Sequence, residues 1–141
     1  MRIREKQERL ASVPLFEGLS KRELRQVVSA TSEVTFPEGR SIVEEGADAG
    51  AGFHLILDGE VRVIMAGRTR ARLGPGEFFG EISLLDGGPR TATVLAQTPV
   101  RTLSIPAWNF IPILDRNPTI ARKLLVEVAK RLRAVQRRPI A

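Results

Sequence analysis

Three residue types in one short stretch could do chemistry in this chain: a glycine at Gly80, an acid at Glu81 and an arginine at Arg90. They lie in Phe-Gly-Glu-Ile-Ser-Leu-Leu-Asp-Gly-Gly-Pro-Arg-Thr-Ala-Thr-Val, residues 79–94. This stretch joins a strand end at Phe78-Phe79 to a strand start expected over Thr91–Leu95. Gly80 has no side chain, so backbone can approach a ligand closely there. Residues 81–85 have the length of one helical turn, whose free N–H groups suit an anion. Arg90 offers a planar, permanently charged fork for phosphate oxygens. An ionised Glu81 only accepts hydrogen bonds, which suits a ribose hydroxyl. The set fits a small anionic sugar phosphate. The competing assignment is a surface ion pair between Glu81 and Arg90. The glycine before the acid, with Pro89 and Thr91-Ala92 around the arginine, favours the ligand site.

The flanking sequence reads as a β-rich scaffold between helices. Runs with strand composition cover Glu33–Phe36, Ser41–Glu44, Phe53–Leu57, Glu60–Met65, Thr69–Leu73, Thr91–Leu95 and Val100–Ile105. Glycine-bearing turns separate them, and many short strands at close spacing predict a closed roll or sandwich. Alternation in Val61-Arg62-Val63-Ile64-Met65 points the odd positions inward. A charged helix is expected over Arg2–Leu10, broken by Val13-Pro14-Leu15-Phe16. Ser20 with Glu23 is a capping box that starts a second helix running to about Ala30, with Leu24, Val27 and Val28 on its buried face. A short helix over Trp108–Leu114 ends at Asn117-Pro118, and a last helix runs from Thr119 to about Gln136. That last helix carries a heptad-like seam of Ala121, Leu125, Val128, Leu132 and Val135, which suits packing on the roll or a dimer contact.

Composition narrows the functional classes. The 141 residues suffice for one domain with a real core. There is no cysteine, which excludes disulfides, thiolate catalysis and cysteine zinc sites. No metal cluster, paired-carboxylate site or nucleophile with a histidine partner is legible, so an enzyme is not expected. The single histidine, His54, reads as structural. No apolar run approaches a membrane span and the first residues lack a signal core, so the expected location is cytoplasmic. The abundance of arginine over lysine points to a bacterial source. The net charge of +6 is uneven: residues 118–141 hold seven basic residues and one acid, whereas residues 12–117 hold 11 basic and 13 acidic. A whole surface built for nucleic acid is not expected from that pattern. Arg131, Arg133, Arg137 and Arg138 read as solvated helix charge, the alternative being a surface for an acidic partner or nucleic acid.

Phe79-Gly80-Glu81-Ile82-Ser83-Leu84-Leu85 followed by Pro89-Arg90-Thr91-Ala92 resembles the phosphate-binding cassette of the cyclic nucleotide-binding domain family. That family includes catabolite activator protein, the regulatory subunits of cyclic-AMP-dependent kinase and cyclic-nucleotide-gated channels. The resemblance extends over about residues 12–137. It implies a mainly β fold with flanking helices: an antiparallel, jelly-roll-like β-roll over residues 32–106, with an inserted cassette at 79–92. N-terminal helices would occupy 1–31 and C-terminal lid helices 107–138, all in a single domain over 1–141. It also implies that Arg90 neutralises the cyclic phosphate, with Thr91 beside it and backbone N–H groups of Ile82, Ser83 and Ala92 adding donors. Glu81 would take the ribose 2′-hydroxyl, with the Gly80 backbone next to it. Val63 and Ala71 would line the base and sugar. Leu132, Val135 and Gln136 would close over the base, although a valine at 135 departs from the hydroxyl residue found in catabolite activator protein.

The function expected from the resemblance is that of a sensor. Cyclic AMP, with cyclic GMP as the alternative, would bind the cassette and move the C-terminal helix. No cofactor and no metal are expected. The partners would be the nucleotide and a homodimer through the C-terminal helix or an effector protein, with no DNA-binding motif in the sequence. Two rival readings are a ligand-sensing fragment of a transcription factor or ion channel, and a partner-binding module with a vestigial pocket.

Overall fold

The structure is a computed structural model, and it describes residues 1–46, 52–80 and 90–135. These fall into two compact units, Ser29–Ile111 and Met1–Val28 with Pro112–Ala141.

The first unit is a mainly β, jelly-roll-like sandwich. Its described strands are β1 (Ser32–Phe36), β2 (Ser41–Val43), β3 (Gly52–Asp58), β4 (Val61–Met65), β5 (Arg68–Leu73), β6 (Phe78–Phe79), β7 (Thr93–Ala96) and β8 (Val100–Pro106). They form two antiparallel four-stranded sheets, β1-β8-β3-β6 and β2-β7-β4-β5. The inner faces meet in a core of Ile56, Phe79 and Val100 from the first sheet and Val61, Val94 and Ala96 from the second. β3 is buried on both faces, with Phe53, Leu55 and Leu57 opposite the Ile56 side. That explains its near-continuous apolar run in place of strict alternation. The β4–β5 turn is Ala66-Gly67, with φ of 51° and 75°. Positive φ at both central residues suits a two-residue hairpin turn of the twist that strands need.

The strand start that departs most from the sequence reading is that of β7. The strand expected from Thr91 begins at Thr93, leaving Arg90, Thr91 and Ala92 outside the ladder. Local partners explain the delay. The Gly46 N–H donates to the Arg90 carbonyl at 2.8 Å, and the Glu45 N–H donates to Thr93 Oγ1 at 2.9 Å. These contacts anchor the segment to the end of β2 before ladder pairing starts.

The second unit is helical. It contains α1 (Ile3–Ala11), a 3-10 turn at Pro14–Phe16, most of α2 (Lys21–Ser29), the end of α3 (Ala107–Arg116) and α4 (Pro118–Val135). The capping box forms in both directions: Glu23 N–H donates to Ser20 Oγ at 3.1 Å, and Ser20 N–H to Glu23 Oε1 at 2.8 Å. Lys123 Nζ, 2.8 Å from Glu23 Oε1, also donates to the Gly18 carbonyl at 2.8 Å. Lys123 and then the Ser20 amide hold the Glu23 carboxyl below its ordinary pKa. Leu24, Val27 and Val28 are buried, as their spacing predicts. Among the described side chains of α4, Ile120 and Leu124 are buried, one turn apart, whereas Leu125 is 70% and Leu132 is 56% exposed. The heptad-like seam is therefore not the anchoring face of this helix. Pro112 stands inside α3, and the division between the two units falls at Ile111 and Pro112.

Candidate functional site

Arg90 is a buried cation, only 7% exposed. A guanidinium taken from water is tolerated only with strong hydrogen bonds around it. Its Nη1 donates to the Gly52 carbonyl at 3.0 Å, a contact across 38 residues of sequence. Burial lowers the Arg90 pKa from its ordinary value, and the group stays charged at neutral pH.

Gly80 follows β6 with φ of +88°. A Cβ there would overlap the Gly52 carbonyl oxygen and come within 3.1 Å of Arg90 Nη1. Glycine is thus required twice over at this position, by its backbone conformation and by the close passage of the β3 backbone. The sequence reading anticipated a close approach by a ligand. The approach present in the structure is that of the protein's own carbonyl, the one that holds Arg90.

These residues rim a cavity of about 210 Å³ between the sheets. Gly80, Arg90, Thr91 and Ala92 form one side. The remaining lining is apolar: Val43 of β2, Val63 and Met65 of β4, Leu73 of β5, Phe78 and Phe79 of β6, and Val94 of β7. Arg90 is the one charged side chain among the described lining residues. One cation at the mouth of an apolar pocket suits a ligand with an anionic end and a flat apolar body. A larger groove of about 740 Å³ lies between α1 and α2, lined by residues such as Ile3, Gln7 and Leu24. It contains no buried charge, so volume does not decide where the chemistry lies.

Behind Arg90, the inner face of the first sheet carries a row of polar side chains. The His54 ring stacks on Phe79 at 5.0 Å and meets the edge of Phe36 at 6.1 Å. Its Nδ1 lies 2.7 Å from Ser104 Oγ, which lies 2.7 Å from Thr102 Oγ1. Thr102 donates to the Val34 carbonyl at 3.5 Å. A carbonyl only accepts, so the order of donors runs from His54 Nδ1–H to Ser104, to Thr102, to Val34. Burial, and then the charge of Arg90, push the His54 pKa down to about 4. The imidazole is therefore neutral beside the site.

Residues 33–117 match the model of the cyclic nucleotide-binding domain. The chain is 37% identical over 125 residues to the cyclic AMP receptor protein of Thermus thermophilus, covering 85% of this chain and 57% of that protein. It is 38% identical over 112 residues to a cyclic nucleotide-gated potassium channel of Mesorhizobium japonicum, covering 79% of this chain and 31% of the channel. The N-terminal domain of a transcriptional regulator from Streptomyces coelicolor superposes with a TM-score of 0.80 at 36% identity, covering 91% of this chain and 94% of that one. The chain belongs to the cyclic nucleotide-binding domain family. It spans little more than half of the receptor protein and about a third of the channel.

Within this cyclic nucleotide-binding domain, the structure brings Gly80, Arg90, Thr91, Ala92 and Val63 to one cavity. Ala71 sits opposite Val63 in the β4–β5 register, but it is exposed and lies outside the cavity lining. Leu132 is on the exposed face of α4. Glu81, Ile82, Ser83, Gln136 and the side chain of Val135 lie outside the described residues. Sequence reasoning did not name Gly52 or the apolar lining residues Val43, Met65 and Leu73. Met65 carried a signal, since it shares the odd-position alternation with Val61 and Val63. Gly52 carried none, because its contribution is a backbone carbonyl.

Proposed function

We propose that this cyclic nucleotide-binding domain is a sensor whose ligand is cyclic AMP, and that it binds without catalysing a reaction. The observation that carries this reading is the buried, charged Arg90 at the rim of an otherwise apolar cavity. The cyclic phosphate docks on the Arg90 face that Gly52 does not use, with Thr91 and the amides of Ile82, Ser83 and Ala92 around it. Glu81 takes the ribose 2′-hydroxyl beside Gly80, and the base lies over the apolar side that includes Val63. Cyclic GMP is the alternative ligand, with the Thr91 hydroxyl as the side chain able to favour it. Two named relatives, the receptor protein and the potassium channel, support the nucleotide class.

Ligand binding shifts the position of the C-terminal helix, with the α3 segment around Pro112 as the hinge. The exposed Leu125, Val126 and Leu132 support this reading, because a face left in water can take a homodimer partner or an effector. No helix among the described residues is long and apolar enough to cross a membrane, and we place the domain in the cytoplasm. Calorimetric titration with cyclic AMP, cyclic GMP and 2′-deoxy cyclic AMP tests the reading. Cyclic AMP should bind with micromolar or tighter affinity, and the deoxy analogue at least about tenfold more weakly. Absence of heat and of thermal stabilisation with both cyclic nucleotides at millimolar concentration refutes it.

A further inference from the structure

The β4–β5 hairpin carries four arginines, Arg62, Arg68, Arg70 and Arg72. Their clustering is not visible in the charge totals, since residues 12–117 carry a slight acidic excess. Among the described residues, none of the four pairs with a carboxylate. Arg62 and Arg72 are direct cross-strand partners, an arrangement of like charges that opposes strand pairing. Arg72 is satisfied by a neutral group, Gln97 Oε1 at 2.9 Å. The Arg62 Nε is buried, with no hydrogen-bond partner among the described residues. Arg68, Arg70 and Arg72 are exposed along β5.

β5 is also an edge strand. It pairs with β4 on one side and with no described strand on the other. Its outward N–H and C=O groups can receive another strand. Arginines on such an edge repel a second copy of the same edge and admit a strand of opposite charge. Arg72 stands opposite Arg62, and a register shift between Val63 and Ile64 sets Arg68 opposite Met65, so the arginines place positive charge on both faces of this edge. An extended acidic peptide laid along this edge meets charge of the opposite sign. A nucleic acid strand offers anions too, but residues 61–73 contain no aromatic side chain on which bases could stack.

We infer that the β5 edge is a docking strand for an extended acidic peptide segment of a partner protein, held by the added backbone ladder and by Arg62, Arg68, Arg70 and Arg72. None of these four residues lines the nucleotide cavity, so this surface is separate from the proposed sensor site.

The probe is the peptide Glu-Thr-Glu-Thr-Glu-Thr-Glu, with its Lys-Thr counterpart as control, titrated at low salt by fluorescence anisotropy. The acidic peptide should bind the full chain, and the triple substitution Arg68→Gln, Arg70→Gln, Arg72→Gln should weaken binding by at least about tenfold. Outward-facing β5 amides of the unsubstituted protein should gain hydrogen-exchange protection when the peptide is present. The triple variant's cyclic AMP isotherm should match that of the unsubstituted protein, which reports intact folding. If the unsubstituted protein takes the peptide but no nucleotide, this inference stands while the sensor reading falls. Absence of peptide binding, equal binding by the triple variant, binding without β5 protection, or tighter binding of oligothymidylate would each overturn it.

Discussion

Replacing Gly80 with alanine should damage the fold and the site together. The backbone at Gly80 has φ of +88°, and an L-residue held there costs about 1–2 kcal/mol. The added Cβ would overlap the Gly52 carbonyl oxygen, so either β3 or the turn after β6 must move. That oxygen accepts the 3.0 Å hydrogen bond from buried Arg90. Losing a hydrogen bond to a charged group costs about 1.5–3 kcal/mol. The two effects together amount to about 3–5 kcal/mol, which for a chain of this size lowers the melting temperature by roughly 10 °C or more. Gly76→Ala is the matched control. Gly76 has φ of +87°, and a Cβ there meets nothing within 4 Å, so this variant reports backbone strain alone, with a drop of roughly 3–6 °C. Differential scanning calorimetry separates the two. Cyclic AMP titration of each variant should show affinity reduced at least about tenfold only in Gly80→Ala. If both variants melt alike, or if Gly80→Ala binds with unchanged affinity, the Gly52–Gly80–Arg90 contact does not organise the site.

Arg90→Ala should weaken cyclic AMP binding by at least about tenfold, equivalent to about 1.4 kcal/mol. Arg90→Lys should restore only part of the loss, because a point charge cannot reproduce the fork that reaches both Gly52 and a phosphate; calorimetric isotherms of the three proteins check both statements. His54 should make stability depend on acid pH. Its folded pKa is about 4 against an ordinary value of 6.5, so between these values the unfolded chain binds a proton that the folded chain refuses. The stability it protects is fully present above pH 6.5 and declines as pH falls toward about 4, by roughly 3 kcal/mol in all. Urea titrations across that range should show the loss in the wild type and much less of it in His54→Phe, which keeps the ring stacking and cannot titrate. A pH-independent difference between the two proteins contradicts the assignment.

Local rules were legible wherever consecutive residues contain the whole interaction. Ser20 and Glu23 announce a capping box that forms as read, because both partners lie within one helical turn. The spacing of Leu24, Val27 and Val28 places them on one buried face, and glycine-bearing turns separate β3 from β4 and β4 from β5, as expected. The order of the strands was also readable from residue type, and Gly80, Arg90, Thr91 and Ala92, named from residue type and from the family resemblance, line one cavity. The remaining features depend on which distant segments the fold brings together. Gly52 holds Arg90 through a carbonyl, an atom that every residue carries and that sequence cannot single out. His54 looks like any strand histidine until burial, and then the charge of Arg90, lower its pKa to about 4. Leu125 and Leu132 have the spacing of a packed seam, yet Ile120 and Leu124 are buried instead, since periodicity defines a stripe and only the neighbours decide which stripe is covered. Arg62 and Arg72, ten positions apart in the chain, become neighbours only through the β4–β5 register. Sequence alone determined the elements and the residue types at the site; tertiary structure decided their partners, because burial, pKa and charge clustering depend on what packs around each group.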